Sequence, residues 1–254
     1  MNKHNFKGKF ILLIIIVGLF SCSPTNYLSS IEASKETLNK DMGIEEDAAI
    51  KALIQPYKIK LDEQMNQVIG ETITDLKKKR PESTLGNWMA DAIQRQTEKQ
   101  LGKPIAFAIQ NYGGIRIPQI KKGKLTRGMI YELMPFDNTI VILSLNSVEV
   151  QELIKHITAG GGWPVSQGIK VTEKDGKLDI KIKGVALKRG TIYQVALPDY
   201  VANGGSDADF LVGKPQQALP LYIRDALIAD VEAHTANQQV IESKIEGRMV
   251  LIKK

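Results

Sequence analysis

The sequence contains few of the residues from which metal centres and disulfides are built. Its 254 residues include one cysteine and three histidines. One cysteine cannot form an intramolecular disulfide or a cysteine-rich zinc site. A two-metal hydrolytic centre would require almost all of the histidines to converge with carboxylates. We therefore expect no metal cofactor and no self-sufficient metallohydrolase in this chain.

Strong net charge and abundant aromatic residues are also missing. The chain has 34 basic and 28 acidic residues, a formal net charge of +6, and 6% aromatic residues. Nucleic-acid-binding chains typically carry clustered basic residues interleaved with aromatics. The only basic run, KKKR at 77–80, is interpreted as a solvated turn. We expect no nucleic-acid partner. The remaining composition is that of an ordinary globular protein.

No apolar run is long enough to cross a bilayer, which needs about 20 residues. The longest run, FILLIIIVGLF at 10–20, follows Lys3, Lys7 and Lys9. A short apolar segment after a positively charged start is typical of a secretory signal peptide. The sequence therefore predicts export rather than a membrane-spanning helix.

The apolar run ends in LFSC, with the single cysteine, Cys22, in the last position. This ending resembles the bacterial lipobox, so we predict a lipoprotein signal peptide over 1–21 and lipid on Cys22. A plain secretory signal with an incidental cysteine is the alternative, and the position of the cysteine favours lipidation. Residue 23 is serine rather than the aspartate that retains many Gram-negative lipoproteins in the inner membrane. By analogy, we expect a cell-envelope protein in the outer membrane.

Processing before Cys22 would remove three lysines, which account for half of the net charge, and His4. His156 and His234 would remain, and both are interpreted as structural. Residues 22–46 are polar and without periodicity, which predicts a tether between lipid and domain. Residues 47–254 have the length of one domain.

Helical and strand patterns follow one another irregularly after the tether. Helical spacing is found at 49–69, where Pro56 is expected to break or kink the helix, and at 84–101, 126–134, 148–158 and 221–233. Strand patterns are found at 105–109, 139–145, 169–172, 178–182, 191–197 and 245–252, with an Asp-Gly hairpin turn at 175–176. Without regular βαβ alternation, this order predicts an α+β fold with mixed sheets and packed helices.

Several glycine-bearing loops carry residues suited to a ligand. NYGGIR at 111–116 follows a predicted strand, and its glycines allow close backbone approach while Arg116 offers a bidentate fork for an anion. The alternative is a hairpin whose arginine pairs with a nearby acid. Phe136 stands at a turn and is either a ligand contact or a core residue covering a helix end. Tyr200 precedes Gly-Gly in a loop. This loop either contacts a ligand or is a polar surface turn.

A further loop, GGGWP at 160–164, is either a flexible cover over Trp163 or a simple connector. Taken together, the loops offer two aromatics for a planar ring, amides and an acid for hydroxyl groups, and an arginine for an anion. A heterocycle, a sugar diol and a phosphate would satisfy these groups. The pattern therefore indicates a nucleotide.

Four stretches occur in the order and spacing of one known family: PESTLGNWMADA (81–92), NYGGIR (111–116), MPFDN (134–138) and DYVANGGSD (199–207). From about residue 50 to the end, the chain resembles the C-terminal domain of the 5'-nucleotidase family, which includes UDP-sugar hydrolases. The resemblance implies that domain's fold and a nucleotide-binding role.

The resemblance also implies residue roles. Phe136 and Tyr200 match the aromatics that stack on the two faces of the base, Asn111 an asparagine at the base, and Arg116 an arginine at the phosphate. Asn138, Gly204, Gly205, Ser206 and Asp207 match or adjoin the other substrate-binding positions. The acid that usually follows Gly-Gly and grips the ribose is replaced by Ser206, with Asp207 one residue later. A family arginine before the Glu-Ser helix has only Arg80 nearby, out of register.

Full-length members of that family carry a preceding metallophosphoesterase domain that holds two metal ions. This chain shows no such segment, so the resemblance implies a separately encoded metallophosphoesterase partner that contributes the divalent metals. Two alternatives remain open: a chain that hydrolyses nucleotides by itself, and a non-catalytic envelope lipoprotein whose nucleotide pocket has decayed.

Overall fold

The computed structural model describes residues 30, 32–35, 37, 42–43 and 45–252. The predicted signal peptide and lipidated Cys22 lie outside these residues, as does most of the tether. The chain divides into two compact units, Met1–Lys51 and Ala52–Lys254. Within the described part of the chain, no helix is both long and apolar enough to span a membrane.

Six α-helices lie within the described residues: α1 (Ala48–Met65), α2 (Thr84–Leu101), α3 (Arg127–Leu133), α4 (Ser147–Ala159), α5 (Asp199–Ala202) and α6 (Ile223–Ala236). Side-chain caps start four of them, α1 to α4. Ser83 Oγ accepts from the Gly86 N–H at the start of α2, Thr126 Oγ1 caps α3, and Asn146 Oδ1 caps α4. These are hydroxyl or amide residues placed where unpaired N–H groups need an acceptor.

Of the two expected effects of Pro56, a break or a kink, the break is wrong, because α1 is helical on both sides of it. In the first unit, Asp47 Oδ1 accepts from the N–H groups of Ala49 (2.8 Å) and Ile50 (3.0 Å) and so caps α1. Proline leaves the carbonyl of Ala52 without its helical donor. No residue of α1 is buried, so water can reach that carbonyl and the helix continues.

In the part of the chain that the structure describes, twelve short strands form four sheets: β1 (Val68–Thr72), β2 (Leu76–Lys77), β3 (Phe107–Ala108), β4 (Gln119–Ile120), β5 (Gly123–Thr126), β6 (Thr139–Asn146), β7 (Ile169–Lys174), β8 (Lys177–Ile182), β9 (Val185–Ala186), β10 (Ile192–Pro198), β11 (Gln216–Tyr222) and β12 (Met249–Ile252). The central sheet has the order β11-β6-β10-β3, and a second four-stranded sheet has the order β12-β7-β8-β9. The pairs β1-β5 and β2-β4 complete the set. Parallel and antiparallel neighbours occur in both larger sheets, so the predicted α+β class is confirmed.

The central sheet is covered on both faces. Along β6, Ile140 and Ile142 belong to a core cluster with α2, α3 and α6, whereas Val141 and Leu143 belong to a second cluster with α4 and the second sheet. Successive side chains of a strand point to opposite faces, so a strand buried on both faces is apolar throughout. This explains the uninterrupted run TIVIL at the start of β6.

The predicted hairpin at Asp175-Gly176 is confirmed. Both residues have positive φ, 50° and 76°, and they join β7 to β8 in antiparallel register. Strand β11 was missed, because its sequence QQALPLY contains a proline and alternates poorly. It lies at the edge of the central sheet, where a proline without an N–H is tolerated.

Candidate functional site

One edge of the central sheet collects the loops in which the sequence placed its candidate residues. Strand β10 runs parallel to β3 and antiparallel to β6. The carboxyl ends of β3 and β10 therefore meet the amino end of β6. The loop holding Asn111 follows β3, the turn holding Phe136 precedes β6, and Tyr200 follows β10. A single sheet register thus brings together three segments that are far apart in sequence.

A cavity of about 280 Å³ opens at this edge. Of the nine predicted ligand-contact residues, six line it, together with Gly113 and Gly114: Asn111, Arg116, Phe136, Asn138, Tyr200 and Ser206. Phe136 and Tyr200 are 39% and 51% exposed, so neither belongs to the buried core. The alternative of a core Phe136 is therefore wrong.

The amide of Asn111 is fixed by its neighbour Gln110. The Gln110 Nε2–H donates to Asn111 Oδ1 (3.0 Å), and Asn111 Nδ2 then donates to Ser206 Oγ (3.0 Å). Gly114 makes room for this chain, because a Cβ there would lie 2.2 Å from Gln110 Nε2. Gln110 is fully buried and was not a candidate from the sequence.

The turn that carries Phe136 is held from two sides. Arg224 on α6 donates to Asp137 Oδ1 at 2.9 Å, and the N–H of Ile223 donates to the Asn138 carbonyl at 2.9 Å. The guanidinium carbon of Arg116 lies 5.6 Å from the centre of the Phe136 ring. Phe136 and Arg116 therefore form one continuous wall of the cavity.

Tyr200 is positioned by the Gly-Gly pair that follows it. A Cβ on Gly205 would lie 2.4 Å from Tyr200 Cε1, so only glycine leaves space for the ring. Gly204 has φ of 95°, a conformation that favours glycine. The Thr139 hydroxyl donates to Asp199 Oδ2 at 2.9 Å, which ties the start of β6 to the residue before Tyr200. Gly204 and Gly205 thus shape the cavity without lining it.

Ser206 lines two neighbouring cavities, whereas Asp207 lines only one of them. Ser206 lines the cavity with Tyr200, but Asp207 does not. Asp207 lies instead on a neighbouring cavity that also contains Arg80, His156 and Trp163. The lining of the first cavity contains no carboxylate, since Ser206 stands at the position where the resemblance implied an acid.

Three residues of the basic run at 77–80 are exposed, as the sequence indicated, but Lys78 is half-buried. Lys78 Nζ donates to the Ile115 carbonyl at 2.7 Å and lies 4.1 Å from the centre of the Tyr112 ring. The Arg80 guanidinium lies 4.0 Å from the same ring. Burial, with the charges of Arg116 and Arg80, holds the pKa of Lys78 below its usual range.

Within residues 45–252, neither Lys78, Arg80 nor Arg116 forms an ion pair with a carboxylate. The alternative in which Arg116 pairs with a local acid is therefore wrong. Arg116 lines the cavity, and its charge and that of Arg80 both act on Lys78. An anion bound near these cations would relieve their mutual repulsion.

A metal centre requires several ligating side chains at one place. Among the described residues, no three histidine, cysteine, aspartate or glutamate side chains come together in a group that could hold a metal ion. His156 contacts a backbone carbonyl, and His234 lies beside Asp230 on α6. The described residues do not fit the two-metal site that the resemblance implies for full-length relatives.

The fold and the cavity together indicate a class of protein. It is a mixed α/β domain in which aromatic, amide and arginine side chains line a cavity at one edge of the central sheet. The family model for "5'-nucleotidase, C-terminal domain" matches residues 64–213. This match covers more than half of the chain. The protein therefore belongs to the 5'-nucleotidase C-terminal domain family, a nucleotide-binding region of 5'-nucleotidases.

Individual relatives agree with this assignment. The chain is 31% identical to the trifunctional nucleotide phosphoesterase protein YfkN of Bacillus subtilis over 186 residues, 65% of this chain and 12% of that protein. It is 26% identical to human 5'-nucleotidase over 236 residues, 81% of this chain and 41% of that protein. The crystal structure of a Thermus thermophilus 5'-nucleotidase precursor matches with a TM-score of 0.68 and 26% identity, covering 82% of this chain and 44% of that one. The chain thus spans less than half the length of these relatives.

Proposed function

We propose that this chain binds a nucleotide or nucleoside in the cavity at the edge of the central sheet. The base lies between Phe136 and Tyr200, Asn111 contacts the base, and Arg116 contacts the phosphate. The observation that carries the proposal is the pair of exposed aromatic rings on one cavity, next to an arginine that forms no ion pair with any of the described carboxylates. Exposed aromatics bind planar rings well, since stacking contributes about 1–3 kcal/mol per base.

The chain would serve nucleotide hydrolysis together with a separately encoded metallophosphoesterase. Binding and orientation would come from this chain, and the metal-activated water from the partner. One finding supports this division: among the described residues, no group of histidine, cysteine, aspartate or glutamate side chains could hold a metal ion. The predicted lipid on Cys22 would hold the pair at the cell envelope, in the outer membrane.

Isothermal titration of the protein with adenosine, AMP and UDP-glucose tests the binding site. We expect binding by the wild type and at least about a tenfold weaker Kd in Phe136→Ala, because one stacking face is lost. Tyr57→Ala is the matched control, since Tyr57 is an exposed aromatic on α1 that does not line the cavity. No binding by the wild type, or equal binding by Phe136→Ala, would refute the nucleotide site.

Phosphate release separates the proposal from its two rivals. We expect no release from AMP by this chain alone with Mn²⁺ or Zn²⁺, and release when a metallophosphoesterase partner is added. Chelator-sensitive release by the chain alone would instead support a self-sufficient hydrolase. Absence of nucleotide binding would support a lipoprotein with a decayed pocket. Neighbouring reading frames that encode a secreted metallophosphoesterase domain would favour the two-chain enzyme.

Metabolic labelling tests the anchor. Cells that express the full chain with a labelled fatty acid should yield labelled protein in the envelope fraction. Cys22→Ser should abolish the label. Label retained by that variant, or wild-type protein found unlabelled outside the membrane fraction, would contradict the lipoprotein proposal.

A further inference from the structure

Ser206 is held by three hydrogen bonds from three different elements. Its N–H donates to the Tyr200 hydroxyl (3.3 Å), its Oγ accepts from Asn111 (3.0 Å), and its carbonyl accepts from His156 Nε2 (2.9 Å). Tyr200 and Asn111 are candidate ligand contacts, whereas His156 lies on α4 and does not line the same cavity. The third bond therefore fixes Ser206 from outside the pocket.

The segment around Ser206 needs such restraint. Ser206 and Asp207 have φ of 59° and 60°, so two consecutive residues with side chains adopt the left-handed conformation. This conformation is unfavourable for residues other than glycine, and it persists where neighbouring groups over-determine it. A carbonyl can only accept, so the His156 nitrogen facing Ser206 carries the hydrogen.

The His156 ring is itself held by packing. Its centre lies 5.3 Å from that of Trp163, with the planes at 88°, and 5.5 Å from that of Phe210. Trp163 is 5% exposed and belongs to the core cluster around α4. The imidazole is thus a rigid donor, anchored in the core and aimed at the Ser206 carbonyl.

From this geometry we infer that His156 is a positioning residue of the nucleotide pocket. It locks the Gly204–Asp207 segment in the left-handed conformation, and through Ser206 it sets the Tyr200 hydroxyl and the Asn111 amide on the cavity. Losing the lock leaves only a fraction of molecules in the binding-competent arrangement, and the apparent Kd rises by the inverse of that fraction. The expected effect of His156 on nucleotide affinity rests on the proposed function, whereas its expected effect on the conformation of the Gly204–Asp207 segment does not.

Two variants distinguish the contribution of the His156–Ser206 hydrogen bond from that of the His156 ring packing. His156→Phe keeps a ring between Trp163 and Phe210 but has no donor, whereas His156→Gln supplies an amide N–H that can reach the same carbonyl. We expect His156→Phe to raise the Kd for adenosine about tenfold, corresponding to about a tenth of the molecules remaining competent. His156→Gln should recover most of the affinity. His234→Phe, which alters the histidine on α6, should leave the Kd unchanged.

Hydrogen exchange of the ligand-free protein provides a second readout. Amides of the 203–208 segment should exchange faster in His156→Phe and near the wild-type rate in His156→Gln. Unchanged exchange and affinity in His156→Phe would overturn the inference. Equal losses in both variants, with equally lowered Tm, would also overturn it, because they would indicate packing alone. If wild-type protein binds no adenosine, the proposed function fails, and the exchange comparison still decides whether His156 holds the segment.

Discussion

At the scale of single residues, the proposed nucleotide cavity offers a hydroxyl group where the resemblance implied an acid for the ribose. Ser206 presents a hydroxyl that already accepts a hydrogen bond from Asn111, and Asp207 lies on the neighbouring cavity. A carboxylate can accept from both hydroxyls of a ribose, whereas one engaged serine hydroxyl offers much less. Discrimination for the 2'-hydroxyl should therefore be weak.

We predict that adenosine and 2'-deoxyadenosine bind with Kd values within about threefold of each other, since no charged acceptor is left unpaired when the 2'-hydroxyl is missing. Ser206→Asp should favour adenosine by about tenfold, the order expected for a hydrogen bond to a charged group. Titration of both nucleosides against both proteins measures this. Strong preference for the ribose in the wild type would show that another group contacts the 2'-hydroxyl.

At the scale of elements, α4 supports the site because it carries His156. Its start is a capping box: Asn146 Oδ1 accepts from the N–H groups of Val148 (2.9 Å) and Glu149 (3.1 Å), and Glu149 Oε2 accepts from the Asn146 N–H (2.8 Å). Glu149 also pairs with Lys214. The hydrogen bonds from Lys214 and from the Asn146 backbone hold the pKa of Glu149 below its usual range.

A lowered pKa in the folded state means that Glu149 stabilises the protein when ionised. Its contribution is complete above the unfolded-state pKa of about 4.3 and is lost as the pH falls through the folded-state pKa. We predict that Glu149→Gln lowers the free energy of unfolding at pH 7 by about 0.3–1 kcal/mol. Below the folded-state pKa the difference should vanish. Urea unfolding from pH 3 to 7 tests this, with Glu152→Gln on the exposed side of α4 as the control.

At the scale of the whole molecule, an ion pair between the buried Asp230 and the partly exposed Arg95 joins α2 to α6 on the face of the central sheet opposite α4. Asp230 is 1% exposed and accepts from Trp88 Nε1 (3.2 Å), Arg95 Nε (2.7 Å) and Arg95 Nη2 (2.9 Å). Burial lowers the pKa of Arg95, but the hydrogen bond and charge of Asp230 outweigh it and leave the pKa raised. Because α6 also carries Arg224, this pair helps to place the Phe136 turn.

We predict that Asp230→Asn lowers the free energy of unfolding by about 1–3 kcal/mol, because buried donors lose their charged acceptor. Glu232→Gln on the same helix breaks only the exposed pair with Arg127 and should cost about 0–1 kcal/mol. Chemical denaturation of both variants gives the comparison. Equal effects would contradict a special role for the Asp230–Arg95 pair.

The sequence by itself determined the local features of this protein. The helical spacing at 84–101 and the turn at Asp175-Gly176 depend on neighbouring residues, so short patterns predicted them. The four motifs in order also indicated the family and named six residues that line one cavity. These predictions were confirmed because each depends on contacts between residues close in sequence or on a short motif.

Only the tertiary structure decided which distant groups meet. Strand β11 is stabilised by pairing with β6 rather than by its own sequence pattern, so its sequence did not reveal it. Lys78 acquired its place beside Tyr112, and Asp207 its place outside the first cavity, through packing between distant segments. His156 looked like an ordinary histidine because its partner, the Ser206 carbonyl, is a backbone atom 50 residues away. Backbone acceptors occur at every residue, so no side-chain pattern can indicate which one a histidine will meet.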